Sequence, residues 1–448
     1  MWWVALAFTL GLMALFQWLT RAGPLEARAT LALGFLVLAA HVGGELAKRV
    51  RLPRITAFVV TGLAVGPAWL GLVRGDEVTA LGFIADAAAA LIAFAIGSQL
   101  TLETLRRDRA LLARLSLWTI LLPFGTVAAV TLSVSPWFPL TVHQPFGDAI
   151  AVALVLGAIA AASSPVLTVA LMDELDARGP FARTVLGVTL AKDVLVIVLF
   201  ALVLAIARLV TSGGALDLRV AGTTLVHGAS AIAVGALLGL TVSRYLRLLG
   251  RDTPLVLVAL AFLISQVARL LALETMLIAL TGGVYVANFA SAEGARLREQ
   301  FNRGSLLLYI AFFAVSGAGL PLGAESLREF GPWAVLLVGL RGLGLRLGTR
   351  FAGRSPLVPA DLARHGWLGL ISQAGVTFGL AAAARRAFPE WGVSLEALVV
   401  VMIGVHAIIG PIGFRWALRL TGEVTEGEHV TEKHDSDRPA LVPGGGSL

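Results

Sequence analysis

Cysteine is absent from all 448 residues, which excludes a disulfide framework and any thiolate metal site. Charge is scarce too: 14% of residues are Asp, Glu, Lys or Arg, against about a quarter in an ordinary soluble domain. No nucleophile constellation, metal cluster or pair of membrane-buried acids converges in the pattern, which argues against an enzyme, and no cofactor is called for. No stretch reads as a soluble nucleotide-binding domain. The opening run "MWWVALAFTLGLMALFQWLT" lacks the basic start and small-residue cleavage site of a signal peptide and reads as a retained first helix.

What is there is apolar. Hydrophobic residues make up 57% of the chain, and the mean hydropathy is +0.86. Repeated runs of about 20 such residues describe an all-α polytopic membrane protein whose main partner is the lipid bilayer. The net charge of +7 does not indicate nucleic acid, because the arginines fall between apolar runs rather than on one patch. Fourteen spans are expected, at roughly 2–20, 30–48, 55–73, 82–102, 110–134, 147–172, 183–209, 220–243, 254–271, 274–291, 304–322, 332–352, 366–387 and 395–419. Loops after even-numbered spans hold "KRVRLPR", "RRDR", "RYLRLLGR", "RLREQFNR" and "RFAGR", whereas those after odd-numbered spans hold few basic residues or none. That alternation predicts both termini in the cytoplasm. A polar stretch over 421–448, ending in "PGGGSL", reads as a disordered tail.

The two halves echo each other seven spans apart. "VVTGLAVG" (Val59 to Gly66) is answered by "ALTGGVYVA" (Ala279 to Ala287), and "IAFAIGSQLTL" (Ile92 to Leu102) by "IAFFAVSGAGLPL" (Ile310 to Leu322). An odd offset requires the repeats to lie inverted, the arrangement of transporters that alternate access about a midplane site. The expected organisation is an extra N-terminal helix (1–20), a first repeat (29–210), a linker helix (211–250) and a second repeat (251–420).

Broken helices are expected at equivalent places in the two repeats. The span 147–172 carries Ser163, Ser164 and Pro165, and proline removes a donor from the hydrogen-bond ladder. Seven spans later, 366–387 carries Ser372, Gln373, Gly375 and Thr377. Freed carbonyls and hydroxyls at such breaks can face an ion; ordinary kinks and polar packing are the alternative.

Two opposite charges, Lys192 and Asp193, stand side by side in the span 183–209. Asp193 lies ten residues beyond Arg183, so about 15 Å deep at 1.5 Å per residue, the middle of the hydrocarbon core. A carboxylate there faces a cavity or a partner. Thr189 is one turn back on the same face and within reach of it, whereas Lys192 points about 100° away around the helix. Arg341 is a second deep cation, expected to find a carboxylate or freed carbonyls, or to clamp its own helix to that of Asp193. Asp86 and Asp148 fall at span starts, Glu45 and Lys48 at a helix end, and His41, His227 and His406 are isolated.

Over nearly its whole length the chain resembles the bacterial cation:proton antiporters of the Kef-type and NapA-type branch. The residues that carry the likeness are "GGELAKRVRLPRITAFVVTGLAVGP", "LIAFAIGSQLTLETLRR", "AASSPVLTVALMDELDARG" and "LISQAGVTFGLA", in that order. The resemblance implies two inverted six-helix halves with crossed broken helices, and a homodimer in the bacterial inner membrane. It further implies an aspartate at Asp193 that binds a proton or, transiently, a monovalent cation such as Na+ or K+, with Ser163, Ser164 and Thr189 as candidate supporting oxygens. Arg341 matches a buried basic residue of that group. The chain departs from the pattern at Lys192, where Asp, Asn or Gln is usual, and by one additional N-terminal helix. Three readings of Lys192 stay open. It could turn away or be neutral when the cation enters; replace the cation permanently, leaving an inactive, regulatory or differently selective relative; or favour an anion. A potassium-efflux channel is the remaining alternative.

Overall fold

The computed structural model describes residues 2–20, 23–98, 100–212, 218–249, 253–320, 322–373 and 375–424. Among them the only regular element is the helix. In order these are α1 (Trp2–Leu19), α2 (Leu25–Arg49), α3 (Arg54–Val65), α4 (Gly75–Gly97), α5 (Leu102–Arg107), α6 (Arg109–Ser133), α7 (Phe146–Ala160), α8 (Pro165–Glu174) and α9 (Pro180–Ser212). They are followed by α10 (Leu218–Leu249), α11 (Thr253–Leu270), α12 (Thr275–Phe289), α13 (Ser291–Ala318), α14 (Ala324–Ala352), α15 (Ala360–Gly369), α16 (Gly375–Ala387) and α17 (Pro389–Leu420). Among the described residues, eight spans are long and apolar enough to cross a membrane, nine if the bent pair within α13 counts as one. The chain is an integral membrane protein.

Several boundaries depart from expectation, α4 beginning at Gly75 rather than near 82 and α14 at Ala324 rather than near 332. α3 stops at Val65 rather than near 73, because Pro67 forces the preceding Gly66 into extended backbone, at φ −68° and ψ 176°. The span expected from 304 starts at Ser291 and bends by 66° between Gly294–Phe301 and Gly304–Ala318. Of the expected tail, Thr421 to Val424 are described and 425–448 lie outside the described residues.

The breaks fall where serine and proline place them. α7 ends at Ala160, and α8 begins with Pro165. At this first helical position the missing N–H leaves no bond unmade. Ser164 caps the new helix by accepting from the Leu167 N–H at 3.4 Å. α15 and α16 are separated by the second break, 370–374. The two unwound segments touch: the Ser164 N–H donates to the Ser372 carbonyl at 2.8 Å. A backbone group freed by one break is thereby satisfied by the other.

Glycines let the surrounding helices approach closely. α3 lies on α13 and α4 on α12. A Cβ on Gly62 would overlap the Ala314 carbonyl, and one on Gly317 the Val59 carbonyl. On the other pair, Gly97 faces the Leu280 carbonyl and Gly283 the Phe94 carbonyl in the same way. The "GALLG" glycines Gly235 and Gly239 of α10 sit likewise against α12, as small residues do between membrane helices.

One end of the bundle is tied by carboxylates. Glu174, the last residue of α8, accepts from the Arg54 and Ile55 N–H groups at 2.7 and 3.4 Å, capping α3. Arg54 pairs in turn with Glu45, which also lies 3.7 Å from Lys48. Tyr309 donates to Asp173 at 2.6 Å. Glu423 accepts from Phe181 and Ala182 N–H groups at 2.6 and 3.0 Å, capping the helix that carries Asp193.

Candidate functional site

The crossing of the broken helices sets an electrostatic pattern before any side chain is added. α7 and α15 end there, presenting the partial negative charge of helix C-termini, and α8 and α16 begin there, presenting positive N-termini. Arg341, fully buried in α14, fills the negative side. Its Nε donates to the Ala160 carbonyl at 2.9 Å, Nη1 to Ile371 at 2.5 Å, and Nη2 to Ala162 and Leu370 at 2.6 and 3.0 Å. The planar guanidinium thus gathers four carbonyls from two breaks, a fork that lysine lacks. Of the partners expected for Arg341, the freed carbonyls are the ones it uses, and among the described residues it pairs with no carboxylate and bonds no residue of α9.

Lys192 joins the same cluster. Fully buried, it donates from Nζ to Ser163 Oγ at 2.9 Å, and the Ser163 hydroxyl donates in turn to the Leu370 carbonyl at 2.9 Å. Arg341 Nη2 also approaches Ser163 Oγ at 3.4 Å. The hydroxyl has one proton and two lone pairs, so all of its capacity is taken. Ser163 links Lys192 to the break instead of offering an oxygen to an ion, against expectation.

Asp193 turns the other way. It is 6% exposed, and its Oδ1 is buried without a hydrogen-bond partner. Among the described residues no ion pair joins it to Lys192. Asp193 lines a void of about 20 Å³ together with Pro165, Val166 and Val376, residues of the first turns of α8 and α16. A negative charge is favoured at such N-termini, and the volume is that of about one water-sized particle. The deep cations and the deep carboxylate therefore occupy opposite poles of the crossing.

The other expected oxygens are less involved. Thr189 is buried, and its hydroxyl donates to the Val185 carbonyl of its own helix at 2.7 Å, so its proton is not given to Asp193. Its distance in sequence allowed either partner, and back-bonding within the helix is the nearer one. Ser164 Oγ serves the helix cap. Thr377 is buried, and Ser372 packs against Gly410 of α17. Gln373 is fully buried; its Nε2 donates to Ile159 and Ala162 carbonyls at 2.9 and 3.3 Å, and its Oε1 has no partner.

Glu274 is a participant absent from the residues singled out above. It caps α12, accepting from the Leu277 N–H at 2.7 Å. A lone acid between two apolar runs ("LLALETMLIAL") is the signal that would have found it. It lines a larger cavity of about 350 Å³, as do Asp86 and Gln373.

The NhaP1 sodium/proton antiporter from Methanocaldococcus jannaschii superposes with a TM-score of 0.64 at 16% identity, over 89% of this chain and 100% of that one. A second structure of it gives 0.64 at 19% identity, over 88% and 98%. The fold is therefore shared. The ammonium/H+ antiporter subunit AmhT of Alkalihalophilus pseudofirmus is 23% identical over 86% of this chain and 92% of its own. The Na+/H+-K+ antiporter GerN of Bacillus cereus is 26% identical over 38% of this chain. The iron transporter MagA of Paramagnetospirillum magneticum is 28% identical over 36%. The chain spans only 40% of GerN and 34% of MagA. The pattern of the family described as "Sodium/hydrogen exchanger, transmembrane" matches residues 35–420, and the chain belongs to that family.

Proposed function

We propose that the protein is a secondary active transporter. It exchanges a monovalent cation for protons by alternating access around Asp193, with Na+ favoured and K+ or Li+ as the other candidates. The observation that carries this reading is the unpartnered Asp193 Oδ1 beside a void at the positive ends of two half-helices. A carboxylate so placed can be neutralised by a proton or by a cation, and both cannot occupy it at once. If only loaded states reorient, competition for one group becomes exchange.

The pattern of contacts supports inverted repeats of six helices. The sequence echo relates α3 to α12 and α4 to α13; under that exchange, the α3–α13 contact maps onto the α12–α4 contact, and both are made through glycine. Fourteen crossings follow when the four shorter apolar helices and the broken α15–α16 pair are counted with the nine longer spans. With both termini cytoplasmic, the Glu174, Glu45 and Glu423 ties lie at the cytoplasmic end and the larger cavity opens toward the other side. The exposed apolar residues Phe8, Leu15 and Trp18 of α1 suit a lipid or homodimer contact in a bacterial inner membrane. Membership of the Kef-type and NapA-type branch is part of this proposal.

Within it, Lys192 is a structural cation: its bond to Ser163 keeps it on the Arg341 side of the crossing and leaves the Asp193 void open. A second reading, in which Lys192 permanently replaces the transported cation, draws on its complete burial next to Asp193. Proteoliposomes holding a pH-sensitive dye test both. Exchange predicts a cation-induced pH change that Asp193→Asn abolishes. A silent wild-type protein that Lys192→Asn or Lys192→Asp switches on would establish the second reading.

A further inference from the structure

The cavity of about 350 Å³ is not the void at Asp193, but the two run side by side. Ala89 of α4 lines the larger and Ala93, one turn on, the smaller; Leu167 of α8 lines the larger and Val166 the smaller; Met276 of α12 lines both. A single flexible thioether side chain therefore stands at their boundary.

Polar groups are graded through the larger cavity. Asp86 is exposed and pairs with Arg269 at 3.4 Å. Glu274 is half-buried, and its described contacts include no arginine or lysine within ion-pair distance. Gln373 is fully buried. Its amide orientation is fixed by chemistry: Nε2 donates to two carbonyls, so Oε1 is the free end. A buried acceptor left without a donor is destabilising, and a cation satisfies an acceptor as a donor does. Glu274 caps α12 through Oε2, with the Met276 N–H also directed at its carboxylate, and the carboxylate keeps lone pairs for a cation. Phe312, Phe313 and Phe378 belong to the remaining, largely apolar lining.

We propose that Glu274 Oε1 and Gln373 Oε1 form a second cation site, which holds an alkali-metal ion in the larger cavity before it passes Met276 to Asp193. The choice of ion class rests on the exchange reading above. The site itself does not require turnover, because Asp193 is not one of its ligands. Asp86, at the mouth, is shared with Arg269 and contributes attraction rather than ligation.

Equilibrium binding of 22Na+ and 86Rb+ to detergent-solubilised protein tests this in the Asp193→Asn background, where the Asp193 site carries no charge. Saturable binding of at least one ion is expected to remain, and Glu274→Gln added to that background weakens it by about tenfold or more, the attraction of one lost charge at close range. Gln keeps an acceptor for the Leu277 N–H, so the α12 cap and the fold persist, which a monodisperse elution profile checks. Glu274→Asp, which keeps the charge, retains binding. Saturable binding that is absent in Asp193→Asn, or unchanged by Glu274→Gln, overturns the proposal. If the wild-type protein transports nothing while Asp193→Asn binds and the double variant does not, the exchange reading fails and the Glu274 site stands.

Discussion

Arg341 provides the sharpest stability prediction. Four buried carbonyls accept from it, and two of these have another donor: Ala162 from Gln373 and Leu370 from Ser163. Ala160 and Ile371 depend on the guanidinium alone among the side-chain bonds. Arg341→Met keeps the bulk and removes the donors, leaving two buried acceptors unsatisfied at about 1–3 kcal/mol each, so about 2–6 kcal/mol in all. Arg341→Lys keeps the charge and up to three donors but not the fork, and falls between the two. The 10 tryptophans give an intrinsic fluorescence signal for thermal unfolding in detergent, and the lack of cysteine rules out thiol-reactive reporters without affecting this one. The expected order of midpoints is wild type, then Arg341→Lys, then Arg341→Met, the last about 2–6 °C below wild type. An Arg341→Met protein with a midpoint within about 1 °C of wild type, under about 1 kcal/mol at this size, would refute the assignment of Arg341 as the staple of the two breaks.

The same contacts set two further expectations. Gly283→Val forces side-chain atoms into the Phe94 carbonyl and is expected to cost about 1–3 kcal/mol as overpacking; Gly339→Ala, in open space, is neutral or slightly stabilising by the same melt. Lys192→Asn removes the Nζ bond to Ser163, worth about 1 kcal/mol, and is expected to leave cation-dependent exchange in place with a displaced pH profile in dye-loaded proteoliposomes. Loss of all exchange in folded Lys192→Asn would instead make Lys192 part of the transport cycle.

Much of the site can be read from residue order alone, for physical reasons. Ser163, Ser164 and Pro165 act locally: proline ends the donor ladder and Ser164 caps α8, so the first break is visible where it occurs. Asp193 and Arg341 are visible because deep charge is costly in lipid. Partner identity is not visible. Ser163 could face an ion or a lysine, and the choice depends on α9 meeting a break 29 residues earlier in the chain. Arg341 finds carbonyls about 180 residues before it and about 30 after it, a set defined only once the breaks cross. Thr189 goes to its own helix because the i−4 carbonyl is always in reach, whereas the approach of Asp193 depends on rotamer. Glu274 reads as an ordinary cap until the cavity beside it is known. The early end of α3 is written in Gly66 and Pro67, but the apolar run continues past them and masks it.

The central claim is that the Asp193 carboxylate is the group for which proton and cation compete. The direct measurement is the cation-induced pH change in proteoliposomes, for wild type and Asp193→Asn at matched incorporation, with Na+, K+ and Li+ added in turn between about pH 6 and 9, where histidine and perturbed buried groups titrate. The account predicts a response to at least one of these ions in wild type and none in Asp193→Asn. Exchange that survives in Asp193→Asn, or a folded wild-type protein silent to all three ions throughout that range, would contradict it.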